Sequence, residues 1–145
     1  MKKIIVFIIL FLSFKNILSQ EKLQGVYYIS SIINNFKLST NFSQIIFEDS
    51  NRIDKNYFRI LPIESNLYYL ESISSTKRLS IINDKIKLVY KNDNESTNNS
   101  QWNIIKINNK EYLIQNNLNK KFLEFSNNQV KCSEDITDII NKENH

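Results

Sequence analysis

Lys77-Arg78-Leu79-Ser80-Ile81-Ile82-Asn83-Asp84-Lys85-Ile86-Lys87-Leu88 reads as a β-hairpin. Leu79 and Ile81, then Ile86 and Leu88, recur at period two, so each pair lies on one face of its strand. Asn83-Asp84 separates the two runs, and both residue types tolerate the left-handed backbone of a tight turn. The same form returns 44 residues later, where Lys121-Phe122-Leu123-Glu124-Phe125 leads through Asn127-Asn128 to Val130-Lys131-Cys132. It occurs again 41 residues earlier, where Phe36-Lys37-Leu38-Ser39-Thr40 leads to Ile45 and Phe47. The central leucine never changes, and the apolar-x-apolar pair starts seven residues after it in every copy.

The repeat extends on both sides of the hairpin. Tyr28-Ile29, Tyr69-Leu70 and Leu113-Ile114 keep the same offsets and lie in aromatic-rich runs at 25–32, 67–73 and 111–115. A fourth run pairs Phe58-Arg59-Ile60-Leu61-Pro62-Ile63 with Trp102-Asn103-Ile104-Ile105-Lys106-Ile107, again 44 apart. The change of offset therefore falls between Ile86 and Trp102, and the polar stretch 93–99 is the natural place for three extra residues. Pro62 has no amide to donate, so it belongs at a bulge or an unpaired strand position. One supersecondary unit of about 41 to 44 residues, used three times, fixes an architecture.

Four strands in each of three units make twelve, an all-β arrangement with units at about 24–64, 65–108 and 109–145. The stretches 77–88 and 121–132 resemble the repeating hairpin of fascin-like and ricin-B-like β-trefoils. That resemblance implies six strands closing a short barrel and three hairpins capping one end. It extends over nearly all of 24–132. Gly25-Val26-Tyr27-Tyr28 also resembles a lipocalin first strand, but an up-and-down barrel has no reason to repeat at these offsets. By the spacing of the first two units, the last barrel strand falls at 143 or beyond. It is expected to be short or degenerate, with Asp135-Ile136-Thr137-Asp138-Ile139-Ile140 the apolar segment left to supply it; an unfilled position leaves a sheet edge open.

Residues 1–19 have the layout of a secretory signal: Lys2-Lys3, an apolar run from Ile4 to Phe14, and a polar step ending at Ser19, after which cleavage is expected. About 11 apolar residues are too few to span a bilayer as a helix. A single domain over 20–145, in a secreted or lumenal setting, follows. Removing Lys2, Lys3 and Lys15 leaves 16 of the 19 basic residues against 15 acids, a net charge of about +1. The basic pI belongs to the leader and gives no support for nucleic-acid binding. Cys132 is the only cysteine, so no intramolecular disulfide forms, and its repeat position, shared with Phe47 and Leu88, marks it as a small core hydrophobe.

Catalysis lacks its usual parts: one His at the last residue, one Cys at a core position, no phosphate loop and no metal-ligand spacing. A non-enzymatic protein without cofactor or metal is expected. The ricin-B resemblance implies a lectin-like module for extracellular carbohydrate. In that family a sugar site uses an Asp just after the second-strand apolar residue, an aromatic platform and a Gln-x-Trp near the fourth strand. The matching positions here are Ser39, Ser80 and Glu124, and Gln101 stands next to Trp102. Only the third unit keeps a carboxylate there. Glu124, Tyr112, Asn127 and Asn128 are accordingly the candidate ligand-binding residues, and Trp102 is assigned to the barrel core. Tyr27-Tyr28 and Tyr68-Tyr69 should each place one ring inward and one at the rim. A protein-binding inhibitor or signalling ligand of β-trefoil type, acting through a loop such as 93–99, is the alternative. Asn41, Asn94 and Asn98 head glycosylation sequons and are expected to be exposed. Oligomeric state stays open.

Overall fold

The computed structural model describes residues 3–5, 22–31, 37–41, 44–49, 56–93, 96–107, 111–126 and 129–134. Its strands are β1 Lys3–Ile5, β2 Gly25–Ser30, β3 Lys37–Asn41, β4 Gln44–Glu48, β5 Tyr57–Glu64 and β6 Leu67–Ser72. They continue as β7 Arg78–Ile82, β8 Lys85–Val89, β9 Gln101–Lys106, β10 Tyr112–Asn116, β11 Phe122–Ser126 and β12 Gln129–Ser133. One helical turn, α1 Ser96–Asn99, stands where the sequence suggested a polar loop.

The hairpin that decides the fold forms as expected. Leu79 faces Leu88 and Ile81 faces Ile86 across β7–β8, with Asn83 and Asp84 at φ 51° and 59°. Those positive φ values at both central residues suit a two-residue turn to the twist of the strands it joins. The other units copy the register: Leu38 faces Phe47 across β3–β4, and Leu123 faces Cys132 across β11–β12. Pro62 also behaves as expected, since the β5–β6 register shifts between Pro62 and Glu64.

The connection between the first and second strands of a unit is repeated at atomic detail. Ser72 N–H donates to the Lys77 carbonyl at 2.8 Å, as Asn116 N–H does to Lys121 at 2.8 Å. Thr76 N–H donates to the Ser72 carbonyl and Lys120 N–H to Asn116, with φ 56° at Thr76 and 61° at Lys120. Ile73 N–H reaches the Tyr57 carbonyl as Asn117 N–H reaches Gln101. Each pair is 44 residues apart, so the offset read from apolar positions also holds for the turns.

Barrel strands run in the order β10-β9-β6-β5-β2, and β4, β8 and β12 meet one another in the cap. The fold is a β-trefoil. Its core holds Leu38, Leu79 and Leu123 with the inward residues Ile29, Phe58, Ile60, Tyr68, Leu70, Trp102, Ile104 and Ile114. Phe58 and Trp102, the repeat-related fourth-strand aromatics, are both fully buried, and the Trp102 indole N–H donates to the Leu79 carbonyl at 2.8 Å. Tyr27 and Tyr68 point inward, while Tyr28 and Tyr69 are partly exposed at the rim. The chain's one glycine, Gly25, has φ 131° at the start of β2, a conformation side chains rarely adopt.

Several expectations fall outside the described residues. These are the leader apart from β1, the sequon residue Asn94, Asn127 and Asn128, and the closing strand at 135–140. Asn41 ends β3. Asn98 lies in α1 and is exposed, as expected of a glycosylation acceptor. No helix among the described residues is long and apolar enough to cross a membrane.

Threefold burial makes Leu38, Leu79 and Leu123 a direct test of the fold. Truncating each to Ala removes a fully packed side chain and should cost about 2–5 kcal/mol in urea unfolding, with similar losses at all three positions.

Candidate binding cleft between the second and third units

The symmetry is imperfect where the second and third units meet. A cleft of about 360 Å³ opens there, lined by Ile81, Ile82, Asn83, Asp84, Asn99, Leu118 and Asn119. One wall is the β7–β8 turn, whose left-handed backbone holds Asn83 and Asp84 outward. The other wall is the turn between β10 and β11, and α1 supplies Asn99.

Asn116 ties these parts together. It is buried, and its side-chain carbonyl accepts the N–H of Leu118 at 3.1 Å and of Asn119 at 3.4 Å. Its side-chain amide donates to the carbonyls of Asn99 at 2.8 Å and Gln101 at 3.3 Å. One side chain therefore positions two segments of the lining at once. Asn119 continues the construction, its side-chain oxygen accepting Lys121 N–H at 3.0 Å. Ser72 holds the repeat position of Asn116 in the second unit and bonds instead to Thr40 at 3.0 Å and Ser74 at 3.0 Å. The hydroxyl has no amide group to donate to a second pair of carbonyls, so it ties the turn to β3 alone.

Charge is placed on the Asp84 side. Lys121 Nζ lies 2.9 Å from Asp84 and 3.2 Å from Glu134, bridging the second unit to the end of the third. Hydrogen bonding to Asp84 first, and then to Glu134, holds the Lys121 pKa above its ordinary value. A raised lysine value stabilises the fold in full below about pH 10.4, and that contribution is lost as pH rises through the folded value. Asp84 keeps most of its surface in water and presents acceptor oxygens beside the Asn83 and Asn119 amides. Leu118, 59% exposed, adds an apolar wall. The lining thus offers a carboxylate, three amides and apolar surface in one concavity. These are groups for binding a ligand rich in hydroxyl or amide groups; the cleft contains no nucleophile and no base other than a solvated carboxylate.

Of the residues singled out from sequence, the two that are described, Glu124 and Tyr112, lie elsewhere. Glu124 is half-buried on β11, in register with Lys131. Tyr112 is half-buried on β10 and packs against the core. Neither lines the cleft. The rim rings Tyr28 and Tyr69 carry cations from their own units, with Lys37 Nζ 5.5 Å from the Tyr28 centroid and the Arg78 guanidinium 3.6 Å from that of Tyr69. These are equivalent pairs 41 residues apart, and in each a cation lies over one face of the ring. Sequence reasoning treated Asn83-Asp84 as turn chemistry only and passed over Leu118 and Asn119. The run Gln115-Asn116-Asn117-Leu118-Asn119 carried the available signal: a polar tract with one exposed leucine.

Cys132, expected as a buried core hydrophobe, is partly buried and packs against the core opposite Leu123. Burial pushes its thiol up to about 12; Lys121 opposes the shift, and Asp84 and Glu124 add to it. Among the described residues, no three His, Cys, Asp or Glu side chains are grouped so as to hold a metal.

No protein-family model matches the chain, and no curated protein matches it. Solved structures do. A designed threefold-symmetric protein, ThreeFoil, has a TM-score of 0.62 at 17% identity over 74% of this chain and 88% of its own. The Polyporus squamosus lectin, solved with a human-type influenza-binding epitope, has a TM-score of 0.64 at 18% identity, covering 77% of this chain and 44% of the lectin. This chain thus spans less than half of that lectin's length. A BEL β-trefoil has a TM-score of 0.59 at 12% identity over 77% of this chain and 85% of its own. At these identities the likeness establishes the fold.

Two measurements check the local structure. Asn116→Ala should cost about 2–3 kcal/mol, because it leaves several backbone groups unpaired, whereas Asn119→Ala, half-buried and holding only the Lys121 N–H, should cost about 1 kcal/mol or less. At pH 8, iodoacetamide should modify Cys132 at least about 100-fold more slowly in the folded chain than in urea, since the buried thiol is almost wholly protonated.

Proposed function

We propose that this chain is a secreted, non-enzymatic binding protein that recognises extracellular carbohydrate through the cleft between its second and third units. The observation that carries the reading is the combination of Asp84, Asn83, Asn99 and Asn119 with Leu118 in one braced concavity. Sugars present hydroxyls as paired donors and acceptors on a ring with apolar C–H faces, and carboxylate and amide side chains beside an apolar wall complement them. Bracing by Asn116 lowers the entropy lost on binding, because the turn is ordered before ligand arrives. The leader read at 1–19 supports an extracellular setting, in which glycans are the abundant ligands. The glycan-bound Polyporus lectin supports the reading as an example of the fold used in this way.

A screen of the full chain on a glycan array tests the proposal. Binding is expected, and Asp84→Asn should weaken it at least about tenfold, the loss of one or two hydrogen bonds, with thermal stability nearly unchanged. Weakening by Glu124→Ala or Tyr112→Ala, with Asp84→Asn silent, transfers the site to the third unit. A blank array together with capture of a defined protein supports the inhibitor or signalling-ligand reading instead.

A further inference from the structure

The strand order leaves one place in the barrel unlike the others. In the second unit, β6 has β5 along one edge, over Phe58↔Ser72 to Glu64↔Leu67, and β9 beside the start of its other edge, over Leu67↔Asn103 to Tyr69↔Gln101. By threefold repetition, β10 and β2 need one further strand between them, antiparallel to both. Among the described strands, β2 and β10 share no register with each other. Tyr112 reflects this: its repeat partners Tyr27 and Tyr68 are buried, whereas Tyr112, on the β10 side of the vacancy, is half-exposed.

β1 sits in that place. Lys3, Ile4 and Ile5 pair with Tyr28, Ile29 and Ser30 in parallel, and β1 also approaches β10. The direction is opposite to that of every other strand pair in the molecule's described sheet. A segment outside the repeat therefore supplies the missing backbone partner, and it belongs to the stretch read as a leader ending at Ser19.

We infer that Lys3–Ile5 is a removable barrel strand, and that its departure leaves on β2 a strand-acceptor seat for an extended apolar peptide. Unpaired edge N–H and C=O groups template the addition of a strand, with backbone bonds supplying affinity and alternate side chains the selectivity. The equivalent barrel strands define the chemistry wanted: β5 buries Phe58 and Ile60, and β9 buries Trp102 and Ile104, all fully. The occupant must carry large apolar residues at positions i and i+2. Within the leader, Ile4-Ile5-Val6-Phe7-Ile8 meets that requirement. Within 135–140, Ile136 and Ile140 are separated at the intervening position by Asp138, which suits an inward place poorly. Cleavage after Ser19, which rests on the secreted reading proposed above, would remove β1 and leave the β2 edge open to a strand in trans, whatever ligand the cleft takes.

Hydrogen exchange on the full chain provides the test. Those amides among 28–30 that point towards β1 should be protected in the parent, and Ile4→Pro, which removes an amide of the capping strand, should lower that protection at least about tenfold while β7 and β8 stay unchanged. Ile4→Ala keeps the amide and should retain most of the protection. Adding a synthetic peptide of residues 1–8 to Ile4→Pro should restore it. Unchanged protection at 28–30 in Ile4→Pro overturns the inference, because another segment then fills the seat; failure of the peptide to restore a lost protection overturns the strand-acceptor role.

Discussion

The packing of one leucine per unit against the strand seven residues onward is the constraint on which the structure depends. Leu38, Leu79 and Leu123 each face the second member of an apolar pair, Phe47, Leu88 or Cys132. A two-residue turn fixes that register, since a slip by one residue would send both apolar sets to the solvent face. With three hairpins so fixed, β4, β8 and β12 can meet, and the cap has one way to sit on the barrel. Trp102 joins the two layers by donating from the barrel to the carbonyl of Leu79 in the cap.

Repetition makes the scaffold, and departures from it make the features with chemical character. Where Ser72 becomes Asn116, hydroxyl contacts to β3 give way to an amide that holds the β10–β11 turn against α1 and the start of β9, and a cleft lies beside it. Where the first two units place Lys37 or Arg78 over a tyrosine, the third has Phe122 and Leu113. Where the first two units send β5 and β9 into the barrel, the place between β10 and β2 is taken by a parallel strand from the N-terminus. Symmetric positions answer to packing, while the asymmetric ones are free to serve binding.

Legibility in the sequence followed the range of the interactions. The β7–β8 hairpin, the bulge near Pro62 and the inward Tyr27 and Tyr68 were readable because period, turn chemistry and the missing proline amide act over a few residues. The cleft was not readable, because Asp84 and Asn119 stand 35 positions apart and meet only when adjacent units pack. Glu124 and Tyr112 stood out through likeness to a family pattern, yet the structure places one opposite Lys131 and packs the other on the core.

The sequence by itself determined the repeat, its offsets and register, the buried leucines and the identity of the turns, since each is written in local alternation and recurs three times. Only the tertiary structure decided which surface is concave, which rings have a cation over one face and which segment stands at the barrel's sixth position. Those outcomes depend on side chains and edges brought together from distant positions. No local period records such a meeting, and the threefold symmetry that reveals the fold carries no information about where it will be broken.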